Sequence, residues 1–502
     1  MVSVSASVAW WARTEPDRLA LVYGATRLNY GQLQQRVERA AALLSQQGVQ
    51  AGDVVALLMK NSAAYLELSL AISHLGAVFL PVNYRLGKEE VAYIASHAGV
   101  RLLFADEELR ASVPDGLPTI WIHEAAQFDS GVLASEQPLT AVAPHASKPE
   151  DLYRLMYTSG TTDRPKGVMH SYGNMAWKCL DHITALGLSK QDKLLAVGPL
   201  YHVGAYDLPG VALWMVGGAL VLERDFDAER ALALIESEKL TGGWMAPVML
   251  NRCLSHPSRH QHDLSSFRWL VGGGERTPEE RIREFTGLFK QARYVDAYGM
   301  TETCSGDTMM EAGREIEKIG STGRALAHVQ LAILSDDGQV LPAQEHGEIC
   351  MRGPKVTSGY WRDEAKTRAS FIGDWFRSGD VGYLDADGFL YLTDRKKDMI
   401  ISGGENIASS EVERVVYELP QVAEVAAIGL PDAQWGECVT AAIVLKPGEA
   451  LTLEQLRAHC SGKLGGFKTP KRLVICESLP RNPSGKVLKR ELRLQLAQAD
   501  RI

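Results

Sequence analysis

Apolar residues in the first 135 positions alternate between two spacings. Residues 30–46 and 65–75 repeat apolar side chains at helical intervals. Residues 54–59 and 77–82 are short, nearly continuous apolar runs, as in strands that are covered on both faces. Helices that alternate with such strands predict a parallel sheet with helices packed on its faces.

A polar, proline-containing stretch near residues 134–150 interrupts this pattern, and we interpret it as a connector between subdomains. The alternation then resumes from Asp151 to about Leu392. Four further strands are predicted in that region, at residues 194–197, 219–222, 269–271 and 294–297. The long uncharged run at 208–222 contains Pro209, so it predicts a buried helix followed by a core strand.

The pattern changes after Asp394. Residues 395–398 are a charged break that we predict to be a hinge between a domain of residues 1–394 and a mobile domain of residues 399–502. The C-terminal part has the helix and strand signals of a small α+β unit, large enough to fold by itself. Ser410 and Glu413 have the spacing of a capping box at the start of its first helix.

Composition narrows the function classes. The 502 residues are 46% hydrophobic and 23% charged, as in an ordinary globular protein. The net charge of −8 argues against a nucleic-acid partner, which requires a basic surface. Seven cysteines, an odd count without a CxxC pair, argue against a disulfide framework or a structural zinc site.

No apolar run reaches the length of a membrane span, and the N-terminus has no early positive charge of the kind found in signal peptides. We therefore expect a cytoplasmic protein without a transmembrane segment. Peripheral membrane contact stays open, and so does the oligomeric state, for which a homodimer is one option.

Hydroxyl side chains and glycines are concentrated between Tyr157 and Gly167. The donors that phosphate oxygens need are all present here, in Thr158, Ser159, Gly160, Thr161, Thr162 and Lys166. The segment is not a Walker A loop, because Pro165 and Gly167 flank the lysine. The residues alone are equally typical of a surface turn rich in serine, threonine and glycine.

This segment resembles the signature loop of the AMP-forming acyl-adenylate superfamily, which includes acyl-CoA synthetases. Asp163 stands where that family usually has glycine. The resemblance implies an α/β fold: a large N-terminal domain with layered, mostly parallel sheets flanked by helices and a distorted barrel subdomain, and a small α+β C-terminal domain on a hinge. It also implies ATP, Mg²⁺, CoA and a small carboxylic acid as the molecules bound.

Further motifs resemble the same family in order and spacing. Gly273, Gly274 and Glu275 match its adenine-contacting turn. In the segment 298–303, the resemblance implies that Tyr298 stacks on adenine, Thr301 binds phosphate and Glu302 helps to hold Mg²⁺. The resemblance also implies which residues act closest to the reacting groups. They are Thr158 and Glu302, together with His202 and Lys486 from two further motifs.

The later motifs resemble the ribose, hinge and lysine segments of the family. Asp380 is expected at both ribose hydroxyls, with Arg395 nearby, and Lys397 falls on the hinge position. Lys486 is the expected adenylation lysine, which neutralises charge as the acid attacks the α-phosphate. The CoA side is expected to include a glycine pair and three other side chains: Gly403, Gly404, Trp435, Phe467 and Lys471.

The acid pocket is expected to have apolar or small walls: Trp177, His202, Val203, Gly204, Met245, Met300, Cys304 and Gly306. Small residues at Gly204 and Gly306 predict a roomy channel. No Arg or Lys in these segments stands out as a partner for a second carboxylate. The whole chain resembles bacterial medium- and long-chain fatty-acid–CoA ligases most, so a fatty acid is the expected substrate. An aryl or alicyclic acid is the alternative, and an enzyme that loads a carrier protein is a third.

Overall fold

The structure is a computed structural model, and it describes residues 3–123, 142–158, 164–274, 277–395, 398–402, 405–432, 434–461, 463–481 and 487–499. The chain forms two compact units. The first unit contains residues 1–330 and 351–376, and the second contains residues 331–350 and 377–502. The hinge at 395–398 stays a prediction, because residues 396 and 397 lie outside the described residues.

Helices and strands alternate in the first 123 residues, as the apolar pattern predicts. They are α1 (Val4–Thr14), β1 (Leu19–Tyr23), β2 (Thr26–Asn29), α2 (Tyr30–Gln46), β3 (Val54–Leu58), α3 (Ala63–His74), β4 (Val78–Pro81), α4 (Lys88–Ala98), β5 (Val100–Asp106) and β6 (Thr119–Ile122). Every residue of β3 and of α3 is buried, and β3 is uniformly apolar as burial on both faces requires, whereas α3 also buries Glu67, Ser69, Ser73 and His74. Of the predicted connector, residues 142–150 are described and contain no helix or strand.

The alternation continues to residue 325. The elements are β7 (Leu152–Thr158), β8 (Lys166–Ser171), α5 (Tyr172–Leu186), β9 (Lys193–Ala196), α6 (Val203–Tyr206), α7 (Ala212–Val216), β10 (Ala219–Leu222), α8 (Ala228–Glu238), β11 (Gly242–Met245), α9 (Pro247–Ser255), β12 (Trp269–Gly272), α10 (Glu279–Leu288), β13 (Arg293–Tyr298), β14 (Thr308–Met309) and β15 (Arg324–Ala325). The predicted buried helix and core strand at 208–222 are confirmed as α7 and β10. A wide helical turn at Asp207–Val211 precedes them.

The remaining elements follow from residue 330 onward. They are β16 (Gln330–Leu334), β17 (Gly347–Arg352), α11 (Glu364–Ala369), β18 (Phe371–Ile372), β19 (Trp375–Leu384), β20 (Leu390–Arg395), β21 (Ile400–Ser402), β22 (Glu405–Ile407), α12 (Ser409–Tyr417), β23 (Val422–Asp432), β24 (Gly436–Leu445), α13 (Leu453–Cys460), β25 (Arg472–Ile475) and α14 (Lys489–Ala499). The predicted α+β texture of the C-terminal part is confirmed. None of the helices in the described ranges is long and apolar enough to cross a membrane.

Two large sheets dominate the first unit. A six-stranded sheet has the order β6-β5-β3-β4-β7-β8, and a nine-stranded sheet has the order β15-β14-β13-β12-β11-β9-β10-β1-β2. In the nine-stranded sheet, every pair from β13 to β1 is parallel, and the pairs beyond them are antiparallel. The carboxyl ends of its parallel strands therefore meet at one edge, where open α/β sheets bind ligands.

The later strands form two five-stranded sheets. One has the order β16-β17-β19-β18 with β20 on β19, and the other has the order β22-β21-β24-β23 with β25 on β24. The predicted capping box of α12 is wrong. Ser410 lies inside the helix and its hydroxyl donates to the Thr393 carbonyl, while the Glu413 carboxylate accepts from the Ala427 amide. The Ser409 amide is instead capped by the carboxylate of Asp394, at 2.6 Å.

Candidate functional site

The β7–β8 hairpin joins the two ends of the predicted phosphate loop. Thr158 and Lys166 are directly paired across this antiparallel hairpin. The Tyr157 hydroxyl is hydrogen-bonded to Nδ1 of His97 at 2.7 Å, which fixes the strand just before the loop. Ser159, Gly160, Thr161, Thr162 and Asp163 lie outside the described residues, so the hairpin defines where the loop starts and ends.

The predicted adenine-contacting turn follows β12, next to β13. Gly273 is needed for close backbone approach, since a Cβ there would lie 3.0 Å from the Ala297 carbonyl oxygen. Gly274 has a φ of +95°, which favours glycine. Tyr298 ends β13 and is mostly buried. The turn and Tyr298 thus lie at the carboxyl ends of adjacent parallel strands, while Glu275 lies outside the described residues.

Glu302 lies in a short 3₁₀ turn after β13 and is only 8% exposed. The Tyr360 hydroxyl donates to its carboxylate at 2.8 Å, and the Thr357 amide donates to its main-chain carbonyl at 2.7 Å. Burial and the neighbouring Glu302 carboxylate raise the pKa of Tyr360, so this hydroxyl remains a donor. The carboxylate is therefore held in one orientation by residues 357–360.

A buried chain of hydrogen bonds supports the same turn from behind. Asp207 accepts two hydrogen bonds from Arg154, at 2.9 and 2.6 Å, and both side chains are fully buried. Arg154 also donates to Nδ1 of His170, which leaves Nε2 of that ring to donate to the Thr301 carbonyl at 2.6 Å. Burial and the adjacent guanidinium lower the pKa of His170 to about 3, so the ring is neutral.

Sequence analysis missed Arg154, His170 and Asp207. The only available signal was a charged residue inside an apolar strand, Arg154 in β7, and such a residue needs a buried partner. The partner is 53 residues away in the chain, at the wide helical turn that precedes α7. Pairing at that distance depends on the tertiary structure.

Three consecutive residues after Glu302 have left-handed backbone conformations. The φ angles are +56° for Cys304, +71° for Ser305 and +65° for Gly306. For the first two this costs about 1–2 kcal/mol each, so the surroundings must hold them in place. The Lys355 ammonium donates to the carbonyls of Ser305 and Gly306 and lies 3.1 Å from the Asp307 carboxylate, fully buried.

Trp244 faces the predicted acid pocket, and Met245 does not. The Trp244 ring is stacked near that of His202, with 6.3 Å between centroids and 28° between planes. A Cβ at Gly204 would lie 2.4 Å from the Trp244 ring. Met245 packs into the core with α8, α9 and α10. Neighbouring residues of a strand point to opposite faces, so Trp244, which the prediction did not include, is the one of the two that lies beside His202 and Gly204.

Protein side chains occupy the position that a Cβ would take at both glycines of the predicted acid pocket. Trp244 fills that position at Gly204. At Gly306 a Cβ would lie 2.4 Å from Nε2 of His182 and 2.9 Å from Leu208. Two fully buried cations, Lys178 and Lys355, lie in the same region. The roomy channel stays a prediction, and neither glycine adds space on its Cβ side.

The other predicted pocket residues differ in exposure. Val203 is 6% exposed and Cys304 is fully buried, whereas Trp177 is 40% exposed and contacts the His328 ring at a tilt of 53°. Met300 is intermediate. Burial raises the pKa of the Cys304 thiol to about 12, so it stays protonated and does not act as a nucleophile at neutral pH.

In the second unit, β19 and β20 bring Asp380 and Arg395 together. The two residues are paired across the antiparallel ladder, which confirms that they are neighbours on one sheet. The Ser378 hydroxyl accepts from the Asp380 amide at 3.0 Å, and Arg377 is paired with Glu348 at 2.6 Å. These contacts fix the backbone around Asp380.

Trp435 and Lys471 form an exposed aromatic–lysine patch on the second unit, and Phe467 is another exposed ring of that unit. Trp435 is 41% exposed and Phe467 is 44% exposed. The Lys471 ammonium lies 3.8 Å from the centroid of the Trp435 ring. Backbone amides of residues 434 and 435 donate to Asp432, which anchors the turn that carries the tryptophan. Lys397, Gly403, Gly404 and Lys486 lie outside the described residues, as does the side chain of Arg395.

Comparison with known proteins agrees with this arrangement. The model of the AMP-binding enzyme family matches residues 8–361, and the model of the AMP-binding enzyme C-terminal domain matches residues 411–486. A feruloyl-CoA synthase of an Amycolatopsis species is 36% identical over 96% of both chains. A long-chain-fatty-acid–CoA ligase of Mycobacterium tuberculosis is 35% identical over 93% of both chains.

A solved structure of a CoA synthetase is also similar to the chain. The o-succinylbenzoate CoA synthetase of Bacillus subtilis, in complex with its acyl-adenylate intermediate, is similar with a TM-score of 0.87, 30% identity and coverage of 97% of each chain. The same protein has been solved with ATP and a magnesium ion. ATP, Mg²⁺ and CoA are the molecules that such ligases use. The chain therefore belongs to the AMP-binding enzyme family and is an AMP-forming acyl- or aryl-CoA ligase.

Proposed function

We propose that the acid is a ring-containing carboxylic acid and that Trp244 forms one wall of its pocket. The observation that carries this proposal is the Trp244 ring, which occupies the space beside Gly204 and is stacked near His202. A flat ring packs favourably against an indole, at a gain of about 0.5–1.5 kcal/mol beyond burial. The filled space at Gly306 further supports a short acid over a long alkyl chain.

The fatty-acid expectation is the competing proposal. A long-chain-fatty-acid–CoA ligase and a feruloyl-CoA synthase are about equally similar to the chain. An enzyme that loads a carrier protein would need no CoA, so dependence on CoA separates it from both.

In the first half-reaction, a carboxylate oxygen of the acid bonds to the α-phosphorus of ATP. The bond from that phosphorus to the oxygen that bridges to the β-phosphate breaks, so pyrophosphate leaves and acyl-AMP remains. In the second half-reaction, the sulfur of CoA bonds to the acyl carbon and the carbon–oxygen bond to AMP breaks. The thiol proton goes to solvent, and positioning and electrostatics are the main contributions of the protein.

We assign the nucleotide side to the residues around the β7–β8 hairpin and β13. Thr158 and Lys166 bind phosphate, Tyr298 stacks on adenine and Glu302 holds Mg²⁺, with Thr301 on phosphate. Mg²⁺ is commonly held by one carboxylate and the substrate phosphates, and it neutralises phosphate charge. Glu302 fits this role, because its carboxylate is mostly buried and the Tyr360 hydroxyl fixes its orientation.

We assign the ribose to Asp380 and Arg395, whose pairing across β19 and β20 supports a shared role. Lys486 remains the proposed adenylation lysine and Lys397 the proposed hinge. The glycine pair at 403 and 404 is proposed to let the pantetheine arm of CoA pass close to the backbone. Replacing Lys486 with Ala should abolish acyl-AMP formation but spare thioester formation from supplied acyl-AMP.

The aromatic–lysine patch is the proposed contact for the nucleotide end of CoA. An exposed indole offers a stacking surface for adenine, and Lys471 offers charge to phosphate. Lys468 is less available, because it is paired with Glu411 at 2.7 Å. Phe467, another exposed ring of the second unit, is proposed to contribute to the same contact.

The test of the acid class is pyrophosphate release with ATP, Mg²⁺ and CoA over a panel of acids. The panel runs from acetate to palmitate and includes benzoate, cinnamates and alicyclic acids. We expect the largest kcat/KM with a ring acid. A maximum among C8–C16 fatty acids would contradict the ring proposal and support the fatty-acid expectation.

A pair of glycine variants tests the role of Trp244. Gly204→Ala would place a methyl group 2.4 Å from the Trp244 ring, so the ring must shift and the ring-acid kcat/KM should fall about tenfold or more. Gly210→Ala is the matched control, because its nearest contact is an ordinary 3.5 Å. Equal effects of the two variants would contradict a wall formed by Trp244.

A further inference from the structure

A third glycine, Gly272, directly precedes the predicted adenine-contacting turn, and the proposed reaction does not use it. Gly273 approaches the Ala297 carbonyl closely and Gly274 has a positive φ, so each of them has a backbone reason to be glycine. Gly272 ends β12 in ordinary strand conformation. A Cβ at this position would overlap the hydroxyl oxygen of Tyr294 on the neighbouring strand. A tyrosine side chain therefore occupies the place where any other residue would have its Cβ.

Tyr294 is a buried tyrosine whose ring extends along the sheet toward Gly272. It lies in β13, directly beside Leu270 of β12, and is 1% exposed. Residues 270 and 272 share one face of β12, and strand side chains lean along the strand. The ring packs edge-on against Phe285 of α10, with 5.6 Å between the two centroids. This packing holds the ring between the sheet and α10, with its hydroxyl at the end of β12.

The Tyr294 hydroxyl is hydrogen-bonded to Thr277, on the other side of the turn. The two hydroxyl oxygens are 2.6 Å apart, and Thr277 is also 1% exposed. Burial raises the pKa of Tyr294 well above its usual value, so the hydroxyl keeps its proton. Thr277 lies immediately before Pro278, the residue that precedes α10. One side chain therefore contacts the chain both where it leaves β12 and where it approaches α10.

This pair of contacts brackets the predicted adenine-contacting turn. Gly273 and Gly274 lie inside the bracket, and residues 275 and 276 lie outside the described residues. Two consecutive glycines have more backbone freedom than any other pair, so a turn that contains them samples many conformations unless its ends are held. A turn that its ligand must first order binds that ligand more weakly, because the cost of ordering is subtracted from the affinity. Fixed ends remove part of that cost before ATP arrives.

We propose that Tyr294 and Thr277 are positioning residues that hold the turn at Gly273 and Gly274 in the conformation that binds adenine, and that Gly272 is required to admit the tyrosine hydroxyl. This inference rests on the proposed function, because it takes the turn and Tyr298 as the adenine contacts. Both hydroxyls are buried, so they act through the backbone of the turn. Their loss should change the affinity for ATP and leave the rate at saturating ATP nearly unaltered.

The test removes the hydrogen bond in two ways and measures both stability and kinetics. Tyr294→Phe and Thr277→Val each leave the other hydroxyl buried without this partner. Both should therefore lower the free energy of unfolding and raise the KM for ATP about three- to tenfold. The double variant removes both hydroxyls and leaves no such partner behind. Its stability should return toward that of the unaltered protein, whereas its KM for ATP should stay raised.

The kinetic measurements distinguish positioning from general damage. Pyrophosphate release is measured in the full-length protein with Mg²⁺, CoA and the best acid of the panel. The kcat and the KM values for the acid and for CoA should change less than about twofold, and Thr277→Ser, which keeps the hydroxyl, should retain the KM for ATP. Tyr30→Phe is the matched control, because Tyr30 is a fully buried tyrosine whose hydroxyl donates to the Gly218 carbonyl at 2.7 Å. It should lower stability and leave the KM for ATP unchanged.

The results also distinguish this inference from the proposed function. A KM for ATP that recovers together with stability in the double variant would overturn the inference, because the hydrogen bond would then contribute to stability alone. An equal rise in Tyr30→Phe would overturn it too. Tyr298→Ala should raise the KM for ATP, and an unchanged value would overturn the adenine assignment itself. A raised KM in Tyr298→Ala with an unchanged KM in the double variant would overturn only the role of Tyr294 and Thr277.

Discussion

The buried cluster of Arg154, His170 and Asp207 and the exposed patch of Trp435 and Lys471 both combine a cation with an aromatic ring. In the cluster, each polar group is matched by a protein group at hydrogen-bond distance, and the Asp207–Arg154 pair is fully buried. In the patch, the lysine lies over an indole that is 41% exposed. Solvent exposure is the main difference between the two regions.

That difference distinguishes residues that position the site from residues that bind a ligand. A buried charge must be paired within the fold. The hydrogen-bonding groups of the cluster are therefore used in holding the Thr301 turn, and the cluster changes little when ligands bind. An exposed cation and ring attract each other only weakly, so both side chains of the patch remain available to bind an incoming nucleotide. The predictions below test this contrast, from the largest expected effect to the smallest.

Breaking the buried cluster should have the largest effect. Arg154→Met leaves Asp207 charged and unpaired in the core, and we expect a loss of about 3–5 kcal/mol in the free energy of unfolding. Urea denaturation measures it. Arg27→Met removes an ion pair to Glu238 in which the arginine is half exposed, and it should cost less than about 1 kcal/mol. Equal losses for the two variants would refute the contrast.

Glu302 is mostly buried but faces the nucleotide, so it should affect activity more than stability. Glu302→Gln retains an acceptor for Tyr360 and loses the charge that we assign to Mg²⁺. We expect kcat to fall about a hundredfold with every acid, since one well-placed charge in such a site contributes about 2.7 kcal/mol. The ranking of acids should stay the same, and the Mg²⁺ concentration for half-maximal rate should rise. A changed ranking would show that Glu302 touches the acid.

The cluster should also make stability depend on pH. The pKa of His170 is lowered to about 3 in the folded protein, from 6.5 in the unfolded chain. Between these values the unfolded state binds a proton that the folded state does not, so stability falls as the pH falls below 6.5. His170→Gln should reduce this dependence by up to about 1.4 kcal/mol per pH unit, measured by urea denaturation between pH 6.5 and 4.5. An unchanged slope would mean that His170 is protonated in the folded state.

Changes in the exposed patch should have the smallest effect and act only on CoA. Trp435→Ala and Lys471→Met should each raise the KM for CoA about fivefold, because a stacking surface or a phosphate contact is lost. The KM for ATP and the free energy of unfolding should stay unchanged. Trp10→Ala removes another exposed tryptophan, which is 49% exposed, and serves as the control. A similar rise in the KM for ATP would contradict the assignment of the patch to CoA alone.

Much of the fold and of the nucleotide side could be predicted from local sequence. Apolar runs and helical spacing indicated the parallel sheets, because burial on two faces requires uninterrupted apolar residues, as in β3. The glycine turn follows a strand, β12, as predicted, and the other two nucleotide motifs lie on the β7–β8 hairpin and in the 3₁₀ turn at Glu302. Turns of this kind depend on residues close together in the chain, so short motifs are enough to locate them.

The acid side depends on contacts that no local pattern contains. Gly204 and Gly306 predicted open space, but Trp244 and His182 occupy the Cβ position of each, from a strand and a helix far away in the chain. Met245 and Trp244 are adjacent in sequence, and only the orientation of β11 decides which one reaches the pocket. Arg154 and Asp207 are 53 positions apart, and their pairing required the folded structure, because a buried charge is matched by proximity in space.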